Sequence, residues 1–166
     1  EGVKRHSAVE LNQMCIVLAV SPSGKCAALG GVSGEVALLD LTTTNLSVLA
    51  SGNTKITAQP VISLAFSSDG TMLAAGTNDH MVKVWDLTAG TLVRTLTDYT
   101  AGVCSVAFTE DACYVVCADV SGMIFRRRVH PHPADPRGRY ERPSRVGSKP
   151  FPVARICLSA GVAVFC

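Results

Sequence analysis

The chain has 166 residues, enough for one ordinary domain, and its 48% hydrophobic content is sufficient for a buried core. The net charge of +2 is unevenly spread. Residues 1–125 carry six Lys and Arg against eleven Asp and Glu, whereas residues 126–166 carry nine against two. This asymmetry predicts an acidic body followed by a basic tail. No apolar stretch approaches the ~20 residues of a membrane-spanning helix, so we expect no membrane partner.

Short apolar or alternating runs, separated by polar turns, fill the acidic body. The first four lie at 15–20, 25–30, 35–40 and 46–50. The turns between them are rich in Ser, Gly, Asn and Thr, and Gly supplies the positive φ of tight turns. This order predicts a sheet of four short strands joined by hairpins.

The same pattern occurs three times. A shift of 46 residues places the first copy on the second without a gap, so that Gly30 falls on Gly76 and Asp40 on Asp86. A shift of 42 residues places the second copy on the third, where Arg127 falls on Trp85. The later predicted strands are 61–66, 71–76, 81–86, 91–96, 103–108, 113–118 and 123–128.

The second copy ends its third strand on Trp85-Asp86. With this ending and a period of about 40–45 residues, the copies resemble WD repeats, each forming one blade of a β-propeller. The predicted fold class is therefore all-β, an incomplete WD-repeat β-propeller of two to three four-stranded antiparallel blades. The repeats span about 11–50, 57–96 and 99–128. The alternative is an unrelated all-β sandwich with evenly spaced hairpins.

The resemblance implies structural roles for Asp79, Trp85 and Asp86. WD repeats typically place a Gly-His pair before the first strand, and this His is expected to bond with a turn Asp, a strand Ser or Thr, and the Trp. The strand hydroxyl position of the second copy is Ala75. The Gly-His positions are occupied by Glu10-Leu11, Ile56-Thr57 and Asp98-Tyr99. We therefore expect degenerate repeats, held mainly by apolar packing and ladder hydrogen bonds.

The resemblance also implies function, because WD-repeat proteins are platforms that gather partners through rim loops and the central mouth. We expect loops 51–60, 77–80 and 97–102 to lie toward one rim. Tyr99 is the best single candidate, since aromatic residues are enriched at binding hot spots. The predicted protein-binding residues are Lys55, Gln59, Asn78, His80, Asp98 and Tyr99.

The number of blades is too small to close a ring, because propellers usually have four to eight blades. We therefore expect that the missing blades lie in a longer parent chain, that a partner supplies them, or that the chain is a truncated product; self-association through the open propeller edges is a further expectation.

The tail follows the predicted propeller, which covers residues 1–128. Residues 129–150 are rich in Pro and Arg, which predicts a disordered arm, and residues 151–166 are apolar enough to pack as one or two strands. At 126–128 three arginines replace the Leu-Leu-Asp and Val-Trp-Asp of the earlier copies, which indicates that the repeat is abandoned there. The alternative function is RNA or DNA binding through residues 126–149, set against a merely solvated linker. Its candidate contacts are Arg126, Arg127, Arg128, Arg137, Arg139, Arg142 and Arg145.

Signals for chemistry are weak throughout. The glycines at 30–34 match a hairpin rather than a phosphate-binding loop, and His130 and His132 with Cys157 and Cys166 fit no zinc template. We predict that the protein is not an enzyme and binds no cofactor or metal. We interpret the seven cysteines as reduced thiols of a cytoplasmic or nuclear protein.

Overall fold

A computed structural model describes residues 14–49 and 59–129 and the backbone of residues 157–159 and 162–164. The described residues form strands and turns, arranged in four antiparallel sheets, of which the first three follow each other along the chain as blades. This architecture confirms the predicted fold class, an all-β incomplete propeller. Blade 1 contains β1 (Cys15–Val20), β2 (Cys26–Gly31), β3 (Val36–Asp40) and β4 (Leu46–Val48). Blade 2 contains β5 (Val61–Phe66), β6 (Met72–Thr77), β7 (Met81–Asp86) and β8 (Thr91–Leu96). Blade 3 contains β9 (Val103–Phe108), β10 (Tyr114–Asp119) and β11 (Ile124–Arg128).

The second strand of each blade begins one residue later than the apolar pattern predicts. A hydroxyl that follows the first strand accepts the N–H of the residue that opens the second. The bonds run from Cys26 to Ser21 (3.1 Å), from Met72 to Ser67 (2.9 Å) and from Tyr114 to Thr109 (3.1 Å). Each bond helps to close the hairpin turn where the second strand begins.

Two apolar clusters hold the blades together. One lies between blades 1 and 2 and includes Val36, Leu73 and Trp85. The other lies between blades 2 and 3 and includes Val84, Val103 and Phe125. Blade 2 is thus covered on both faces, which explains why all six residues of β6 are buried although the strand contains Gly76 and Thr77.

A glycine permits the close approach of successive blades. A Cβ added at Gly76 would lie 2.9 Å from Val103 Cγ1 and 3.0 Å from Val106 Cγ1, both in the first strand of blade 3. A Cβ added at the equivalent Gly30 would lie 2.7 Å from Val61 Cγ1 in the first strand of blade 2. The two interfaces therefore share one packing geometry.

The arginines at 126–128 do not end the third repeat, so the prediction that the repeat is abandoned at these residues is wrong. They form the second half of β11 and pair with Val116, Val115 and Tyr114. The next residue, Val129, was predicted to open the disordered arm. Instead it is fully buried in the cluster between blades 2 and 3, and its N–H donates to Cys113 O at 2.9 Å. The repeat continues because strand pairing is a backbone property that arginine tolerates where its head group reaches water.

Beyond Val129, the structure describes only a two-stranded antiparallel sheet, β12 (Cys157–Ser159) and β13 (Val162–Val164). The apolar C-terminal segment thus contains two strands. The remainder of the predicted arm, residues 130–150, lies outside the described residues. The part of the chain that the structure describes contains no helix long and apolar enough to cross a bilayer.

Candidate functional site

The rim loops are tied to one another by a backbone hydrogen bond that recurs in all three copies. In each copy, the N–H that follows the second strand donates to a carbonyl just before the first strand. The donors and acceptors are Val32 and Met14 (3.1 Å), Asn78 and Pro60 (3.1 Å), and Val120 and Gly102 (2.9 Å). This bond fixes the spacing of the loops along one rim.

Most of the predicted protein-binding residues lie on this rim. Gln59, Asn78, His80 and Asp98 are exposed. Asn78 also touches the neighbouring loop, because a Cβ added at Gly102 would lie 2.9 Å from Asn78 Oδ1. Lys55 lies outside the described residues. The structure therefore brings the ends of three predicted loops together along the contact between blades 2 and 3.

His80 has an unusual backbone conformation on this rim. Its φ is +64°, in the left-handed region, whereas the equivalent turns of blades 1 and 3 contain Gly34 and Gly122 at +84°. Glycine adopts this region without steric cost, and most other residues do not. The second copy therefore keeps an exposed imidazole at a turn position where the other two copies have no side chain.

Tyr99 is not part of the rim surface, so the expectation that it is an exposed loop residue is wrong. It is only 5% exposed and belongs to the cluster between blades 2 and 3. Its hydroxyl donates to Cys117 Sγ at 3.3 Å, and its ring meets Phe125 edge-on with centroids 4.9 Å apart. Burial raises the pKa of Tyr99 above its ordinary value and that of Cys117 to about 12, so both stay protonated.

The repeat alignment carried the signal that could have found this burial. Tyr99 occupies the family's His position in the third copy, and the shift of 42 residues places Cys117 on Ala75 and Arg127 on Trp85. The Arg127 guanidinium lies 5.9 Å from the Tyr99 ring centre and 5.1 Å from that of Phe125. Blade 3 thus builds a substitute network from other residue types.

Blade 2 has no such substitute. Trp85 is 1% exposed, and its Nε1 has no hydrogen-bond partner within the described residues. Ala75, fully buried in the same cluster, offers no hydroxyl, and Asp79 accepts instead from Thr77 Oγ1. Asp86 caps its own turn by accepting from the N–H groups of Thr88 and Ala89, at 2.8 and 2.9 Å. In blade 1, a hydrogen bond from the Thr42 hydroxyl, followed by the equivalent N–H bonds from Thr42 and Thr43, lowers the pKa of Asp40 to about 2.

The central mouth is an open concavity. Residues of β1, β5 and β9, the first strands of the three blades, border a groove of about 950 Å³. Its apolar walls include Ile62, Phe66 and Phe108, and hydroxyl groups such as Ser63 and Ser105 lie between them. Such a groove offers apolar contact and a few polar groups to a partner.

Both ends of the described array expose a blade face. On blade 1, we define the blade 1 outer face by Leu18, Val20, Leu41 and Leu46, which are 58%, 52%, 44% and 38% exposed. The shift of 46 residues places them on Leu64, Phe66, Leu87 and Leu92, which pack in the cluster between blades 1 and 2. The blade 1 outer face therefore keeps the residues of a blade interface but lacks its cover.

On blade 3, the opposite face is formed by alternate residues of β10 and β11. We define the blade 3 outer face by Tyr114, Val116, Ala118, Ile124, Arg126 and Arg128. Arg126 and Arg128 are exposed, whereas Arg127 points to the other face and is partly buried. The predicted nucleic-acid contacts at 126–128 are thus divided between two faces of a strand. Arg137, Arg139, Arg142 and Arg145 lie outside the described residues.

The described part of the chain offers no arrangement typical of catalysis or metal binding. No group of three or more His, Cys, Asp or Glu residues within it could hold a metal ion. Its five cysteines are free thiols.

Comparison with known proteins identifies the class. Residues 6–133 match a family model described as Vps8 beta-propeller, which covers more than half of the chain. The chain belongs to this family of β-propellers, and its relatives are WD-repeat proteins.

Among the relatives, the chain is similar to Periodic tryptophan protein 2 homolog of Schizosaccharomyces pombe, with 31% identity over 64% of this chain and 12% of that protein. It is similar to COMPASS component SWD3 of Saccharomyces cerevisiae, with 33% identity over 52% of this chain and 26% of that protein. WD repeat and HMG-box DNA-binding protein 1 of Xenopus laevis is 36% identical over 37% of this chain and 5% of that protein. The chain therefore spans about a quarter or less of these relatives.

The solved structures agree in fold. The Cps50 (Swd1) β-propeller domain of Myceliophteria thermophila superposes with a TM-score of 0.64 and 20% identity, over 73% of this chain and 37% of that one. The structure of U3-55K superposes with a TM-score of 0.65 and 17% identity, over 73% of this chain and 38% of that one. At these identities the likeness concerns the propeller fold alone.

Proposed function

We propose that this protein is a scaffold for protein–protein interactions, a non-enzymatic adaptor in a multiprotein complex. The observation that carries the proposal is the rim between blades 2 and 3, where Gln59, Asn78, His80 and Asp98 expose polar side chains on loops held by the recurring backbone bond. A left-handed conformation at a residue other than glycine often marks a functional position, and His80 has one.

The relatives support the same class of role. SWD3 is by its name a component of an assembly, COMPASS, and it shares 33% identity with about half of this chain. A rigid rim with polar side chains suits partners that dock by shape and hydrogen bonding. The free thiols of the described residues suit a cytoplasmic or nuclear location. Self-association through the open blade edges stays a prediction.

The test is quantitative affinity purification with matched variants. The rim variant carries Asn78→Ala, His80→Gly and Asp98→Ala, where glycine suits the left-handed turn. The control carries Asn45→Ala, Thr88→Ala and Glu110→Ala, which remove an amide, a hydroxyl and an acid from exposed turns of other loops. We expect the rim variant to recover about fivefold less of the co-purifying partner proteins than the wild-type chain does, since truncating a hot-spot residue costs over 1 kcal/mol. Equal recovery by the rim variant and the control would contradict the rim proposal.

The second candidate is RNA or DNA binding through residues 126–149. It is favoured by the basic tail and by the exposure of Arg126 and Arg128. The discriminating variant carries Arg137→Gln, Arg139→Gln, Arg142→Gln and Arg145→Gln. If the tail binds nucleic acid, this variant loses oligonucleotide affinity and its affinity depends less steeply on salt. The rim variant should then bind the oligonucleotide normally.

A further inference from the structure

We propose that the blade 3 outer face is a docking surface for an acidic segment of another protein, and not the seat of a further blade of the same geometry. This surface lies on a sheet face and is separate from the rim. The proposal therefore stands or falls independently of the proposed rim function.

The first observation is steric. Gly30 and Gly76 let the first strand of the next blade approach closely, with Val61 and Val103 against the glycine. The equivalent residue of blade 3 is Ala118. Its Cβ occupies the space into which the next blade's first strand would have to enter. A further blade with a valine at the position of Val61 and Val103 would therefore have to shift away from blade 3 relative to the spacing of the two observed interfaces.

The second observation is the change of polarity at the same face. Position 126 corresponds to Leu38 and Val84, which pack in the two interblade clusters. In blade 3 this position is Arg126, and Arg128 lies two residues further on. Covering two guanidinium groups with an apolar blade face would remove their water without providing counter-charge, which is strongly unfavourable.

The third observation is that the two arginines are already organised. The Arg126 guanidinium carbon lies 3.7 Å above the Tyr114 ring centre, and that of Arg128 lies 5.3 Å from it. Arg128 Nη2 also donates to the Tyr114 hydroxyl at 3.2 Å. Tyr114 thus orders two exposed cations on one face at little further entropic cost, which favours binding of carboxylates.

These features favour an acidic polypeptide over the other occupants. The chain's own arm is unsuitable, because residues 130–150 carry five basic residues against two acidic ones. Base stacking by a single-stranded nucleic acid is disfavoured here, because Arg126 covers the Tyr114 ring. Val116, Ala118 and Ile124, which are partly exposed beside the arginines, suit apolar side chains that alternate with the acids.

The test uses the full chain and a short fluorescein-labelled peptide of alternating Glu and Val, with binding measured by fluorescence anisotropy. The key variant is R126Q/R128Q. The matched control R137Q/R139Q removes the same charge at the same spacing from the arm. We expect the key variant to weaken binding about tenfold, as for the loss of charge-assisted hydrogen bonds, and the control to change it less than twofold.

The proposal is overturned if the wild-type chain does not bind the peptide, if the two double variants weaken binding equally, or if the control weakens it more. It is also overturned if an oligothymidine probe binds more tightly than the peptide and depends on Arg126 and Arg128. Circular dichroism of each variant establishes that it is folded, as expected for substitutions of exposed side chains.

Discussion

The two outer faces of the array lie on opposite sides of the blade, and inside the array each side forms an interface with a neighbouring blade, yet the chemistry of the two outer faces differs. The blade 1 outer face presents Leu18 and Val20, whose counterparts in blade 2 lie in a blade interface. The blade 3 outer face presents Arg126 and Arg128 around Tyr114. One end therefore keeps the composition of a blade interface, and the other has lost it. In a repeat fold, comparing the residues of each outer face with those of the interfaces inside the array thus indicates what kind of surface that face can pack against.

The largest expected effect concerns the glycine at the interface. Gly76→Val places a branched side chain where even a Cβ would lie 2.9 Å from Val103 Cγ1, so we expect it to lower the free energy of unfolding by about 3 kcal/mol. Ala118→Val, at the equivalent position of the blade 3 outer face, should lower it by less than about 1 kcal/mol. Urea denaturation measures both. Similar losses would mean that Ala118 is as tightly enclosed as Gly76.

The next effect compares two equivalent leucines. Leu64 is 9% exposed in the interface between blades 1 and 2, whereas Leu18 is 58% exposed on the blade 1 outer face. Leu64→Ala should therefore cost about 2 kcal/mol of unfolding free energy, and Leu18→Ala less than about 1 kcal/mol. Urea denaturation measures both free-energy changes. If Leu18→Ala proves as costly as Leu64→Ala, the blade 1 outer face is covered in solution.

The smallest expected effect is a gain in the free energy of unfolding from a substitution in the interface between blades 1 and 2. Trp85 Nε1 is buried without a hydrogen-bond partner in the described residues, and Ala75 stands at the position of the family's strand hydroxyl. Ala75→Ser should supply an acceptor and raise the free energy of unfolding by about 1 kcal/mol. Ala75→Cys is the control of similar size with a weaker acceptor. A loss of stability with serine, but not with cysteine, would show that the hydroxyl does not reach the indole.

Much of the fold was predictable because the repeat is visible in the sequence. Turn residues and apolar runs at constant spacing located every strand of the three blades to within about two residues. The reason is that each repeat forms one blade of a β-propeller, the fold that the resemblance implied. The errors arose where one copy differs from the others. Arg127 looked like the end of the repeat, although strand pairing continues through it.

Tyr99 shows a second kind of error. An aromatic residue in a predicted loop suggested an exposed contact, but the packing of blade 3 against blade 2 buries it. Contacts between blades join residues far apart in sequence, so the period alone does not reveal them. For the exposed residues of the rim, the prediction of their local structure was correct in part. Sequence placed Asn78, His80 and Asp98 in loops, but only the structure shows the left-handed turn at His80.

The most direct test of the open, dissimilar ends is hydroxyl-radical footprinting of the full chain, read residue by residue by mass spectrometry. Equivalent positions provide their own controls: Leu18 against Leu64, and Tyr114 against Met72, which is 6% exposed. We predict that Leu18 and Tyr114 are labelled and that Leu64 and Met72 are protected. Protection of Leu18 and Tyr114 at the level of their buried counterparts would contradict the account, because both outer faces would then be covered.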